Sequence, residues 1–96
     1  MTSGEKKSHQ FIVVLDAGHG GKDGGTVGKH VLEKDVALSI ALKTGKYIEE
    51  NLKDVQVIYT RSTDVFIELF ERARIANRAK ADFFISIHVD GFTNST

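Results

Sequence analysis

The chain has 96 residues, 41% of them hydrophobic, with 13 basic and 13 acidic side chains and no formal net charge. That length suits one small domain or part of a larger one, and the balanced charge gives no reason to expect nucleic acid or an anionic membrane as a partner. With no cysteine, disulfides and thiolate metal sites are excluded, and no apolar stretch approaches the length of a membrane span.

In chain order, "MTSGEKKSHQ" has no apolar centre and is not a signal peptide. Residues 1–10 read as a disordered leader or a cloning scar. "FIVVL", Phe11 to Leu15, is a short, partly β-branched apolar run that predicts a strand buried on both faces. It runs into "LDAGHGGKDGG", which holds five of the nine glycines and places His19 between two of them. Ala17 to Leu32 has no periodicity and reads as a long loop.

From Lys34 to Lys53 the spacing predicts a helix whose apolar stripe is Leu38, Ala41, Leu42, Gly45, Ile48 and Leu52. "VQVIY", Val55 to Tyr59, predicts a second strand. "TRSTD", Thr60 to Asp64, reads as a polar turn with helix-capping residues. A second helix is expected over Ile67 to Lys80, burying Leu69, Ala73 and Ala76, with Phe70 beside them. "FFISI", Phe83 to Ile87, predicts a third buried strand, and His88 follows it directly.

The order β–loop–α–β–α–β predicts an α/β fold, a mostly parallel sheet with flanking helices and right-handed crossovers. Three strands are few for such a sheet, and a last strand with nothing after it leaves an apolar edge. The expectation is the N-terminal half of a larger α/β domain.

In open α/β sheets, functional groups gather beyond the carboxyl ends of the strands. His19 lies just past the first strand and His88 just past the third. If those strands are neighbours, both imidazoles share one crevice. Glu33, at the far end of the glycine-rich loop, can be brought to the same place. Two histidines and a glutamate with an open fourth position form a catalytic zinc pattern, leaving room for an activated water. The glycines would let the backbone turn sharply beside the metal.

Plainer readings compete residue by residue. "GHGGKDGG" is not a GxxxxGK[ST] phosphate loop, and the dinucleotide pattern GxGxxG fails at Asp23. Alone, His19 is a loop histidine, His88 a strand-end histidine, and Glu33 a first-turn carboxylate that complements the helix dipole. Asp16 is either a strand terminator or the carboxylate that orients His19. Asp90 is a candidate for a similar supporting role, or for an alternative His-x-Asp ligand pair ranked below Glu33. Arg61 and Arg72 are expected in surface or interhelix ion pairs, and His9 and His30 as solvent-exposed bystanders. Only the joint placement favours a metal.

"VVLDAGHGGKDGGTVG", "LEKDVALSIALKTGKYIE" and "VIYTRSTDVFIELFERARIANRAKADFFISIH" together resemble the zinc-dependent N-acetylmuramoyl-L-alanine amidases, a bacterial cell-wall family. The resemblance runs from about Phe11 to the end of the chain, so residues 11–96 are expected to be part of an amidase catalytic domain. It implies Zn2+ held by His19, Glu33 and His88. It implies hydrolysis of the amide between the lactyl group of N-acetylmuramic acid and L-alanine. Peptidoglycan in the periplasm or outside the cell is the implied partner, with an activator protein as a further candidate.

Two departures stand out. Where the family has a small residue after "SIH", Val89 is bulkier, although Asp90 fits the pattern. The family's domain is close to twice this length, and its catalytic glutamate is expected beyond Thr96. The expectation is a chain that binds zinc weakly or moderately and has little amidase activity alone. Two alternatives remain: a non-catalytic module that binds peptidoglycan or a partner, and a different metal hydrolase acting on a small amide. The TRxxD and ADxFISIH segments favour the amidase.

Overall fold

The structure, a computed structural model, describes residues 10–25 and 32–89. Its elements are β1 (Phe11–Ala17), α1 (Glu33–Asn51), β2 (Val55–Tyr59), α2 (Leu69–Ala79) and β3 (Phe83–Ile87). The strands form one parallel sheet in the order β2-β1-β3. The α/β class and parallel pairing follow the sequence expectation, and β1 runs two residues further than its apolar stretch. At the carboxyl edge, Leu15 is level with Tyr59 and Ile85, and Asp16 with Ser86. The first and third strands are thus neighbours. At the opposite end, Asp82 and Ile12 exchange two hydrogen bonds of 2.8 Å, one of them to the Asp82 carboxylate.

Alternation along β1 divides the molecule into two faces. Val13, Leu15 and Ala17 face α1 and form the core with Ala37 and Ala41, with Val55, Val57, Tyr59 and Ile87 packed against them. The buried row of α1 is Glu33, Ala37, Ala41 and Gly45, spaced by four. Its small side chains let the helix lie close to the sheet. Leu42 and Leu52, expected in the apolar stripe, are exposed, because the buried ridge follows the alanines instead. Val14 and Asp16 point to the other face, where α2 lies.

Two expectations about burial are corrected. Leu69 and Phe70 are 81% and 70% exposed, and the buried residue of α2 is Arg72. The helix is anchored by a guanidinium rather than by an apolar stripe. A groove of about 400 Å3 separates it from the sheet, between Ala73 and Ala76 on one side and Phe84 and Ser86 on the other. β3 is an edge strand among the described residues, and Phe83, Phe84 and Ile85 are exposed rather than buried. The α2 helix ends at Lys80 in the left-handed conformation, with the Ala81 amide donating to the Ala76 carbonyl at 3.1 Å. No helix among the described residues is long and apolar enough to cross a membrane.

Gly45 tests the close approach of α1 to the sheet. A Cβ there would run into the Tyr59 phenol. In an open helix, Gly→Ala stabilises by roughly 1 kcal/mol. Gly45→Ala is expected instead to lower the melting temperature, because the Tyr59 ring is packed against the core. A rise in melting temperature would show that the ring moves aside freely.

Candidate metal centre

After β1 the chain leaves the sheet and its carbonyls turn inward, away from any strand partner. Two buried arginines receive them. Arg72 donates to Ala17 O at 2.6 Å, His19 O at 2.7 Å, Ile67 O at 2.7 Å and the Asp16 carboxylate at 2.8 Å. Arg61 donates to Ala17 O at 3.0 Å, Gly18 O at 2.8 Å, Thr63 O at 2.9 Å and Lys34 O at 2.9 Å. The expected surface or interhelix ion pairs are therefore replaced: both arginines are buried, and their main partners are backbone carbonyls. Burial pushes the Arg61 guanidinium below its ordinary value, and the nearby Arg72 charge adds to this.

Asp16 is corrected as well. Its carboxylate accepts from Arg72, from Thr60 Oγ1 at 2.8 Å and from Ser86 Oγ at 2.9 Å. It locks the strands to α2 and does not orient His19. Both ring nitrogens of His19 have other partners: Nδ1 lies 3.0 Å from Asp23 Oδ2 and Nε2 lies 3.1 Å from Glu33 Oε1. Thr60 and Asp64 do not cap α2 either. Asp64 takes Gly21 N at 2.7 Å and Lys34 Nζ at 2.9 Å, and Lys34 also donates to Gly21 O at 2.9 Å. The "TRSTD" turn is a clasp on the glycine-rich loop.

His19, held by this frame, has φ 64°, a left-handed conformation that non-glycine residues seldom take. Its ring meets that of His88 edge-on, with centroids 5.2 Å apart. Gly18 gives the His88 imidazole its space, since a Cβ there would stand 2.5 Å from the ring. Glu33, the first residue of α1, reaches between the two histidines: His19 Nε2 at 3.1 Å, His88 Nδ1 at 3.3 Å, and the Val89 amide donating at 3.0 Å. One ligand atom from each of His19, Glu33 and His88 lies within 4.8 Å of the others.

The donor set fits a metal ion. Two ligands at about 2.1 Å from a tetrahedral ion stand roughly 3.4 Å apart, close to the two carboxylate–imidazole separations. The Glu33 side chain is only 4% exposed, and a carboxylate so buried requires positive charge beside it. Protons on the imidazoles or a single divalent cation both supply that charge. His88 is half-exposed and opens the site to a cleft of about 410 Å3 walled by Phe66, Ile67 and Leu69.

Asp23 is the site residue that the sequence reading missed. It figured there only as the residue that breaks a dinucleotide pattern. Gly20 and Asp23 close a tight turn with two backbone hydrogen bonds, which places the carboxylate against the His19 ring. The His19 hydrogen bond holds the Asp23 carboxyl below its usual range, with help from the Gly25 amide and against a desolvation effect. An ionised carboxylate only accepts, so Nδ1 is the donor in the contact with Asp23. The available signal was a carboxylate four residues beyond a candidate ligand, within a glycine turn. Asp90, His9 and His30 lie outside the described residues.

The sequence pattern of a family described as N-acetylmuramoyl-L-alanine amidase matches residues 13–96. An endolysin of Bacillus phage SPP1 is 51% identical over 79 residues, covering 82% of this chain and 29% of the endolysin. A crystal structure of N-acetylmuramoyl-L-alanine amidase from Clostridium difficile 630 superposes with a TM-score of 0.85 at 40% identity, over 93% of this chain and 48% of that one. The CwlD amidase from Clostridioides difficile, solved in complex with the GerS lipoprotein, superposes with a TM-score of 0.81 at 33% identity, over 91% and 52%. The chain thus spans under a third of the endolysin and about half of each solved chain.

The Lys34–Asp64 clasp has a pH signature. The Lys34 hydrogen bond first, and the Gly21 amide after it, hold the Asp64 carboxyl below its ordinary value of 3.8. The unfolded chain then binds the proton more readily, so the stabilisation is present above that value and is lost as pH falls through the lower folded one. Wild type is expected to exceed Asp64→Asn in urea midpoint at neutral pH and to converge with it in acid. Parallel curves from pH 7 to 2 would contradict this.

Proposed function

The chain belongs to the N-acetylmuramoyl-L-alanine amidase family, and we propose that His19, Glu33 and His88 hold a zinc ion used to cleave peptidoglycan. The bond cut is the amide between the lactyl group of N-acetylmuramic acid and L-alanine. The observation that carries this reading is the buried Glu33 carboxylate set between two imidazoles at 3.1 and 3.3 Å, at the carboxyl edge of a parallel sheet. On this reading residues 11–96 form the metal-holding part of a catalytic domain.

Zinc bound there supplies polarisation of the scissile carbonyl and a water whose pKa falls toward neutrality. The protein's own groups do the rest. By accepting from Nδ1, Asp23 would orient the His19 ring and leave Nε2 available to a metal. The Val89 amide and both histidines hold Glu33 in one orientation. Phe66, Ile67 and Leu69 give the cleft an apolar wall that limits water around the substrate.

Proton transfer to the leaving amine calls for a general acid–base. The carboxylates described at this site are committed: Glu33 to the histidines, Asp23 to His19 and Gly25, and Asp16 to Arg72. From the family resemblance, we propose that this role falls to a glutamate outside residues 11–96. Action on peptidoglycan places the protein in the periplasm or outside the cell. The complex of the CwlD amidase with a lipoprotein supports a protein partner as a second ligand.

Elemental analysis after dialysis is expected to find about one zinc per chain, lost in His88→Ala and in Glu33→Ala. Metal-free wild type under zinc-replete conditions would overturn the proposal. Asp23→Asn should weaken zinc binding roughly 10–100-fold, the usual effect of removing a carboxylate that orients a ligand histidine. Unchanged affinity in a chelator competition would show that Asp23 does not set the tautomer.

A further inference from the structure

We infer that Arg72 and Arg61 are positioning residues for the metal site: their guanidiniums hold His19 in its left-handed conformation and fix its distance from Glu33. The inference deepens the metal-site reading, and its second half rests on that reading.

Left to itself, a histidine at φ 64° relaxes toward the ordinary regions, so the surroundings must hold it. Arg72 does so from below. One face of its fork takes His19 O through Nη2, while Nη1 takes Ala17 O and the Asp16 carboxylate. The carbonyl of the strained residue and the last residue of β1 are thus read by one rigid plane. Arg61 acts between the two ligand-bearing segments. Its Nη2 donates both to Gly18 O, next to His19, and to Lys34 O, next to Glu33. A single nitrogen therefore ties the loop to the start of α1. Neither task suits lysine, whose ammonium is one point charge on a flexible stem and cannot reproduce the planar fork. An arginine that merely filled space on α2 would have no reason to meet the carbonyls of both Ala17 and His19.

The test compares Arg72→Lys and Arg61→Lys with Val57→Ala, a core variant remote from the site, in the 96-residue chain. Amide exchange by NMR is read at Gly18 and Gly20, whose amides are hydrogen-bonded to Ile87 O and Asp23 O, and at Val14 in the sheet. Each Lys variant is expected to lose at least tenfold protection at Gly18 and Gly20 relative to Val14. Val57→Ala should lower Val14 without that selective loss. Zinc dissociation constants from chelator competition should rise at least tenfold in the Lys variants and stay within twofold in Val57→Ala.

Loop protection within twofold of wild type in both Lys variants overturns the inference. So does a loosened loop with unchanged zinc affinity. If neither Lys variant folds, the arginines hold the fold and not the site, and the inference falls. If the loop loosens as expected but wild type has no zinc affinity, the metal-site reading fails while the clamp on His19 stands.

Discussion

Three consecutive carbonyls, Ala17, Gly18 and His19, leave the sheet edge and turn into the protein, where no strand can pair them. A buried carbonyl without a donor is costly, and glycines bring no side-chain donors to meet it. The two guanidiniums solve this by entering from below, one from the end of β2 and one from α2. Asp16 pairs with one of them, Arg72, and Thr60, just past β2, and Ser86 of β3 complete its hydrogen bonding. Breaking such a buried pair by removing one partner costs about 3–5 kcal/mol. The loop, the sheet and α2 are consequently one unit, although α2 has hardly any apolar anchorage.

The site's electrostatics follow from that frame. Parallel pairing of β1 with β3 puts His19 and His88 at the same edge, and α1 begins where its first side chain points between them. A first-turn glutamate would ordinarily sit in solvent and complement the helix dipole. Here it is nearly fully buried, and that burial turns a routine carboxylate into a demand for a cation. The half-exposed His88 and the apolar cleft wall leave one side of the cluster approachable.

The same arrangement explains why apolar surface is distributed so unevenly. The core beneath α1 is apolar, and the helix meets it through small residues at intervals of four. The opposite face is organised by charge, so Leu69 and Phe70 remain outside and a groove separates α2 from Phe84. Among the described residues β3 is an edge strand with three exposed large apolar side chains, the kind of surface that proteins usually keep covered.

Much of this was legible in the sequence. Short apolar strands between amphipathic stretches determined the α/β class, because period and turn residues are local properties of the chain. His19, Glu33 and His88 were legible because each sits at an element boundary, and parallel topology brings such boundaries together. The partners of Arg61, Arg72, Asp16 and Asp23 were not. Their spacing carries no sign that a guanidinium will face carbonyls more than forty residues away, or that Asp23 and not Asp16 will meet His19. Leu69 and Phe70 misled for the same reason, since apolar character states a preference for burial and not which face a neighbour will cover. The sequence by itself determined the elements and which histidines and carboxylates stand at their boundaries. Only the tertiary structure decided their partners, because a hydrogen bond depends on distance and direction between atoms that folding alone brings together.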